Sequence, residues 1–137
     1  MTTTTGAPAG SAHAAIHEVF RATSAAWAAG DAAAFSAWYA PEASVLLPGL
    51  RLAGREEIGT AMARAFAGPL HGTRRVHDIA SVRLIADEVA LVHTASATVA
   101  AGQDEPADDQ RERVTWVLAR MSGRWLIEAY HSSPAGG

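Results

Sequence analysis

The stretch "RVTWVLARMSGRWLIEAYHSS", Arg113 to Ser133, holds two apolar runs on either side of Ser122–Gly123. A small residue followed by glycine between alternating runs signals a tight turn, so the segment is predicted to be a long hairpin. If Val114, Trp116 and Leu118 face inward on its first strand, Trp125, Ile127 and Ala129 join them on the second. Strict period-2 geometry then sends His131 to the same face, while Arg113, Thr115, Glu128 and Tyr130 point away. A histidine on such a face is either a satisfied core residue or part of a working pocket.

Upstream, a second hairpin turning near Ala86 and Asp87 is expected, and "AGQDEPADDQ" supplies the acidic, Pro-containing connection between the two. Its segment Gln103 to Gln110 reads as a rim loop. With an even-length turn, Val76, Asp78, Ala80, Val82 and Leu84 share a face with Val89, Leu91, His93, Ala95 and Ala97. That face is the more apolar one and is expected to be buried. The opposite face collects His77, Ser81, Arg83, Thr94, Ser96 and Thr98. A short strand is expected at Ser44 to Leu47.

The N-terminal half has helical period instead. Ile16, Val19, Phe20, Thr23, Ala26 and Trp27 recur at three- and four-residue spacings and form one stripe over Ser11 to Ala29. Gly30 stops this helix, and Asp31 caps a second, which carries Phe35, Trp38 and Tyr39 before Pro41. A third runs from about Glu56 to Ala67, with Arg55, Glu56 and Glu57 read as helix-start electrostatics. Three helices followed by long strands make an α+β chain: a single domain over 13–133, a disordered arm over 1–12 and a flexible tail over 134–137.

Composition removes whole classes of chemistry. The 137 residues include no cysteine, lysine or asparagine, which excludes thiol nucleophiles, lysine Schiff bases and the phosphate-loop lysine. With a formal net charge of -3 and Arg74–Arg75 as the only adjacent basic pair, no nucleic-acid footprint is expected. No run is long and apolar enough to span a bilayer, and the start lacks a signal-peptide pattern, so no membrane role and a cytoplasmic location are expected. His13 and His17 stand four apart beside Glu18, but a solvated helix face accounts for them, and no metal or cofactor is expected.

On the face taken as buried, Asp78, His93 and His131 are polar intruders. Buried polar groups are costly unless paired, so three together suggest a pocket holding water or ligand, with Ala80, Ala95, Ala97 and Ala129 leaving room. Diagonal cross-strand neighbours lie roughly 7 to 8 Å apart, within side-chain reach, so Asp78 could orient His93 as a general acid or base. Trp27, Trp38, Tyr39 and Trp116 are the candidate aromatic walls for a substrate.

The segments "AAWAAGDAAAFSAWYAPEASV", "LAGREEIGTAM" and the closing hairpin resemble the SnoaL-like branch of the nuclear-transport-factor-two-like superfamily, near small proteins of actinobacterial, enediyne-type antibiotic clusters. The resemblance spans roughly Ala14 to Ser133. It implies a cone in which three N-terminal helices pack on a strongly curved, mostly antiparallel sheet, and a homodimer through the outer sheet face. The superfamily includes isomerases, cyclases, hydrolases and pure binding proteins. By resemblance, the acid and tyrosine positions of ketosteroid isomerases fall at Leu47, Thr23 and about Thr115, so that chemistry is not expected. Limonene-epoxide-hydrolase-like enzymes need an asparagine that this chain lacks, whereas the histidine and aspartate of scytalone-dehydratase-like enzymes and SnoaL-type cyclases find a partial match. The expected function is therefore cofactor-independent acid/base chemistry on a hydrophobic polyketide-type intermediate: cyclisation, isomerisation or dehydration. A non-catalytic small-molecule binding or carrier protein and an association domain are the alternatives.

Overall fold

The computed structural model describes residues 9–135. Helix α1 (Ala9–Ala29) is followed by the short α2 (Ala32–Ser36), a hairpin of β1 (Tyr39–Leu47) and β2 (Leu50–Ala53), and α3 (Arg55–Ala67). Four long strands complete the chain: β3 (Arg74–Ala86), β4 (Val89–Val99), β5 (Arg111–Met121) and β6 (Arg124–Pro134). The sheet order is β2-β1-β6-β5-β4-β3, antiparallel throughout except where β1 runs parallel to β6. All three helices pack on one face of this curved sheet, as the α+β cone requires.

Local chemistry explains the helix ends. Gly30 takes φ +68, a conformation that side chains with a Cβ adopt rarely, and closes α1. The Asp31 carboxylate then accepts from the Ala34 N–H and caps α2. The α2 helix ends at Ser36, earlier than its aromatic spacing suggests, and Tyr39 opens β1 instead. Pro41 sits where the β1–β6 register shifts, between Tyr39 and Ser44, the irregular position in which a strand tolerates a missing N–H. At α3, Glu57 accepts from the Ala53 N–H at 2.9 Å, and Arg55 Nε donates to the Tyr39 carbonyl at 2.7 Å, tying the helix start to β1.

Register is where the expected faces fail. The turn after Ala86 has the expected even length, with Ala86 opposite Val89, but bulges between Leu84 and Ala86 and between Ile79 and Ser81 shift the pairing twice. Each inserted residue reverses which side chains face in. On β4 the helix-facing residues are Ala90, Val92, Thr94 and Ser96, and on β3 Arg75, His77 and Ile79 face the same way. The more polar face is thus the inner one. A third bulge, between Val117 and Leu118 in the β5–β6 ladder, leaves Glu128 unpaired. Trp125 and Ile127 are buried as expected, but beyond the bulge Tyr130 turns inward opposite Trp116 and His131 turns out.

The expected arm over 1–12 overlaps α1, which begins at Ala9; residues 1–8 lie outside the described residues. Of the expected tail, Pro134 belongs to β6 and the Ala135 N–H donates to the Arg111 carbonyl, while 136–137 lie outside the described residues. In the rim loop, Arg74 Nη2 donates to the Gln103 carbonyl at 3.0 Å, and a single 3-10 turn, Asp108–Gln110, leads into β5. No helix among the described residues is long and apolar enough to cross a membrane.

Candidate functional site

Between the helices and the sheet lies a cavity of about 210 Å³. Its walls are overwhelmingly apolar. Phe35, Ile58, Met62 and Leu70 come from the helical side, and Val45, Leu47, Leu50 and Leu52 from the β1–β2 hairpin. Ala61 and Ala65 on α3 leave the space open, because larger side chains there would enter it. Trp27, Tyr39 and Trp116, three of the four aromatic residues singled out from the sequence, do line the cavity. Trp38 does not: its ring stacks under the Arg124 guanidinium, 4.5 Å from the ring centroid, away from the cavity.

The polar part of the lining comes from Thr23 on α1, Tyr39 on β1, and β3, β5 and β6. Arg75 is only 7% exposed, yet its guanidinium is fully engaged on one edge. Nη2 donates to Glu112 at 2.5 Å and to the Tyr130 hydroxyl at 2.8 Å, Nη1 donates to Thr98 at 3.0 Å, and Tyr130 in turn donates to Glu112 at 3.1 Å. Such a cluster holds a buried cation only because its partners replace its water. The guanidinium also lies 5.6 Å from the Trp27 ring centroid, and the Trp27 N–H donates to Thr73 at 2.8 Å.

His77 stands beside Arg75. Its ring meets Phe20 and Trp116 edge-on at centroid distances of 5.3 and 5.4 Å, and its Nδ1 lies 2.7 Å from Ser96 Oγ. Burial in these apolar walls, with the Arg75 cation adding to it, lowers the His77 pKa to about 3, so the imidazole is neutral at physiological pH. Burial likewise pushes the Tyr39 and Tyr130 hydroxyls up, so both stay protonated. Neither His77 Nε2 nor the Tyr39 hydroxyl has a hydrogen-bond partner among the described residues, although both residues line the cavity. Among the described residues, no aspartate or glutamate lines it.

The expected catalytic group is not assembled there. Asp78, His93 and His131 are all exposed on the outer face of the sheet, opposite the helices. His93 Nδ1 lies 3.2 Å from Ser81 Oγ, its register partner, and Asp78 is in register with Ala95, so no inward Asp78–His93 dyad forms. The physical reason is the pair of β3 bulges, which make the polar alternation Arg75–His77 the inner one. The Glu128 bulge does the same for His131. His93 and His131 instead flank Thr115 in one row across β4, β5 and β6, beside Arg113. Arg75, His77 and Tyr130 are the polar site residues that sequence reasoning missed. For Arg75 and His77 the signal was the matching Thr94, Ser96 and Thr98 alternation on β4, which supplies partners for inward polar groups; for Tyr130 the Glu128 bulge hid it.

The family comparisons agree with this architecture. The model of the SnoaL-like domain matches residues 16–136. No curated protein matches the chain. Among solved structures, a domain of unknown function with a cystatin-like fold from Nostoc punctiforme superposes with a TM-score of 0.84 at 24% identity, covering 93% of this chain and 79% of that one. A nuclear-transport-factor-two-like protein of unknown function from Shewanella oneidensis gives 0.74 at 19% identity, over 89% of this chain and 98% of the other. Aln2 from a Streptomyces species gives 0.77 at 19% identity and covers 94% of each chain. With the family model spanning nearly all of the described cone, the chain belongs to the SnoaL-like domain family, within the nuclear-transport-factor-two-like, cystatin-like fold.

Proposed function

We propose that the cavity binds a small, largely apolar ring compound carrying one oxygen acceptor, and that the protein is a small-molecule binding or carrier protein. The observation that supports this most is the pairing of apolar walls with two unspent polar groups, His77 Nε2 and the Tyr39 hydroxyl. Ligand sites combine an apolar container with a few convergent polar groups in this way. The volume, about 210 Å³, exceeds the roughly 150 Å³ cavity that takes benzene, which suits a bicyclic ligand better than a single ring. An oxygenated ring of polyketide type fits this description.

Turnover is the second reading, and His77 rather than His93 is its centre. A neutral imidazole in a desolvated site polarises a carbonyl without competing with water. Binding is favoured because no carboxylate lines the cavity to abstract a proton.

The test uses 1-tetralone as probe, followed by calorimetry, with Ala65→Phe to fill the cavity. Wild type is expected to bind, and the variant, with its near-ultraviolet circular dichroism unchanged, to lose at least about tenfold in affinity. Equal binding by both proteins places the ligand elsewhere and overturns the reading. A pH–rate profile on any enone that wild type isomerises, abolished in His77→Gln, would favour turnover instead.

A further inference from the structure

Two hydroxyls behind the cavity wall, Thr94 and Ser96, join two residues that line it, Trp116 and His77, in a continuous hydrogen-bond chain. The Trp116 Nε1–H lies 3.0 Å from Thr94 Oγ1, Thr94 Oγ1 lies 2.7 Å from Ser96 Oγ, and Ser96 Oγ lies 2.7 Å from His77 Nδ1. Thr94, Ser96 and Trp116 are each buried, at 4%, 3% and 3% exposure, so a hydroxyl proton without an acceptor would be costly anywhere along the chain.

The direction of this chain follows from its first member. An indole N–H can only donate, so Thr94 Oγ1 accepts from Trp116. Among the described residues the remaining partner of Thr94 is Ser96, so the Thr94 proton goes to Ser96. Ser96 then has one partner left for its own proton, His77 Nδ1, which must accept. A neutral imidazole that accepts at Nδ1 carries its proton on Nε2.

We infer that the Trp116–Thr94–Ser96 relay locks His77 as the Nε2–H tautomer, making it a hydrogen-bond donor that selects ligands with a carbonyl-type acceptor. This rests on the cavity being the ligand site, but the tautomer itself does not. The low pKa of His77 agrees with it, because the ring does not become a cation that would donate from both nitrogens. The hydroxyl chain, not a carboxylate, sets the tautomer. His77 therefore polarises an acceptor without bringing a negative charge into the cavity. The Tyr39 hydroxyl supplies the second donor or adapts to the ligand, since it rotates freely and His77 does not.

The tautomer is read directly by long-range proton–nitrogen correlation spectra of protein with nitrogen-labelled histidine, without ligand. Wild-type His77 is expected to show an unprotonated Nδ1 and a protonated Nε2 unchanged from pH 5 to 8. A protonated Nδ1 in wild type overturns the relay whether or not the cavity binds anything. The selective role is read by comparing 1-tetralone with tetralin, which has the same ring skeleton and no oxygen. Ser96→Ala is expected to mix the two tautomers and to lower the preference for 1-tetralone about fivefold while leaving tetralin affinity unchanged. Thr94→Ser, which keeps the hydroxyl, is expected to retain the wild-type tautomer and preference. Equal affinity of wild type for both probes overturns the donor role, whereas failure of both probes to bind overturns the ligand site and leaves the spectroscopic result standing.

Discussion

Arg75 Nη2 donates to the Tyr130 hydroxyl at 2.8 Å although β3 and β6 are separated by β4 and β5. Three strand spacings amount to roughly 14 Å on a flat sheet, so the contact exists because the sheet is cupped and both side chains lean into the same concavity. The bond closes the cone from one side of the cup to the other. Glu112 on β5 accepts from both residues and supplies the countercharge. Removing the cation should therefore weaken the whole fold and not only the pocket. Arg75→Met is expected to cost about 2 kcal/mol, below the 3–5 kcal/mol of a fully buried pair, because Glu112 retains 29% side-chain exposure and can rehydrate. The double variant with Glu112→Gln is expected to recover part of that loss, and urea denaturation of the three proteins measures it.

His77 predicts an acid sensitivity of defined sign. Its folded-state pKa of about 3 lies below the ordinary 6.5, so between these values the unfolded chain takes up a proton that the folded chain refuses. Stability is therefore complete above pH about 6.5 and falls as pH drops toward about 3. The slope from this one group approaches about 1.4 kcal/mol per pH unit in the middle of the window. The other titratable groups lining the cavity are Arg75, whose charge adds to the lowering of the His77 pKa, and the Tyr39 and Tyr130 hydroxyls, which burial pushes up. Comparing urea midpoints of wild type and His77→Gln from pH 7 to 4 isolates the contribution: the variant curve is expected to be flatter, and parallel curves would refute the assignment.

The sequence is most legible where one period runs unbroken. Ile16, Val19, Phe20, Thr23 and Ala26 are all buried on α1, as their spacing requires, and the closing hairpin reads correctly from Val114 through Ile127. Past Ile127 it does not, because one unpaired residue, Glu128, reverses the parity, and nothing about a glutamate in a strand marks a bulge. The same happens twice on β3. There a second effect compounds the first: hydrophobicity assigns the apolar face to the interior, but a sheet that lines a polar-tipped cavity carries Arg75, His77, Thr94 and Ser96 inward and leaves Val76, 38% exposed, outside. The cavity itself inverts the pattern used to find it. Trp27 and Trp116 line the cavity because they lie outside the inverted segments, Trp27 on the unbroken stripe of α1 and Trp116 on the correctly read part of β5.

A dimer through the outer sheet face is predicted from the register there. Asp78, Ala95 and Arg113 are in register across β3, β4 and β5, and Ala80 and Val76 keep the neighbouring positions small and apolar. An acid and a base on either side of a small residue complement themselves about a two-fold axis, and face-to-face sheets pack in this manner. Wild type is expected to sediment as a dimer. Ala95→Arg, which adds bulk and charge at the centre, is expected to sediment as a monomer with 1-tetralone binding retained, because no cavity-lining residue is altered; a monomeric wild type would dismiss this interface.

Gly59 tests how closely α2 and α3 are packed. It lies inside α3, where alanine would ordinarily stabilise by about 1 kcal/mol through helix propensity. A Cβ built there, however, meets Ser36 Oγ at 3.0 Å and Ser36 Cβ at 3.5 Å. The first distance is tight enough that the Ser36 hydroxyl must give by a few tenths of an ångström, and the second is an ordinary contact. Gly59→Ala alone should therefore gain nothing, the propensity being offset by displacement of the Ser36 hydroxyl from the packed α2–α3 interface. Ser36→Ala removes the obstructing oxygen and sacrifices only a long 3.4 Å hydrogen bond to the Ala33 carbonyl. The double variant is expected to be more stable than wild type by about 0.5 to 1 kcal/mol, measured as a shift in the urea midpoint at unchanged slope. A single Gly59→Ala variant that already shows the full gain would mean that α2 yields to α3 at no cost, and that the glycine is not required by their close approach.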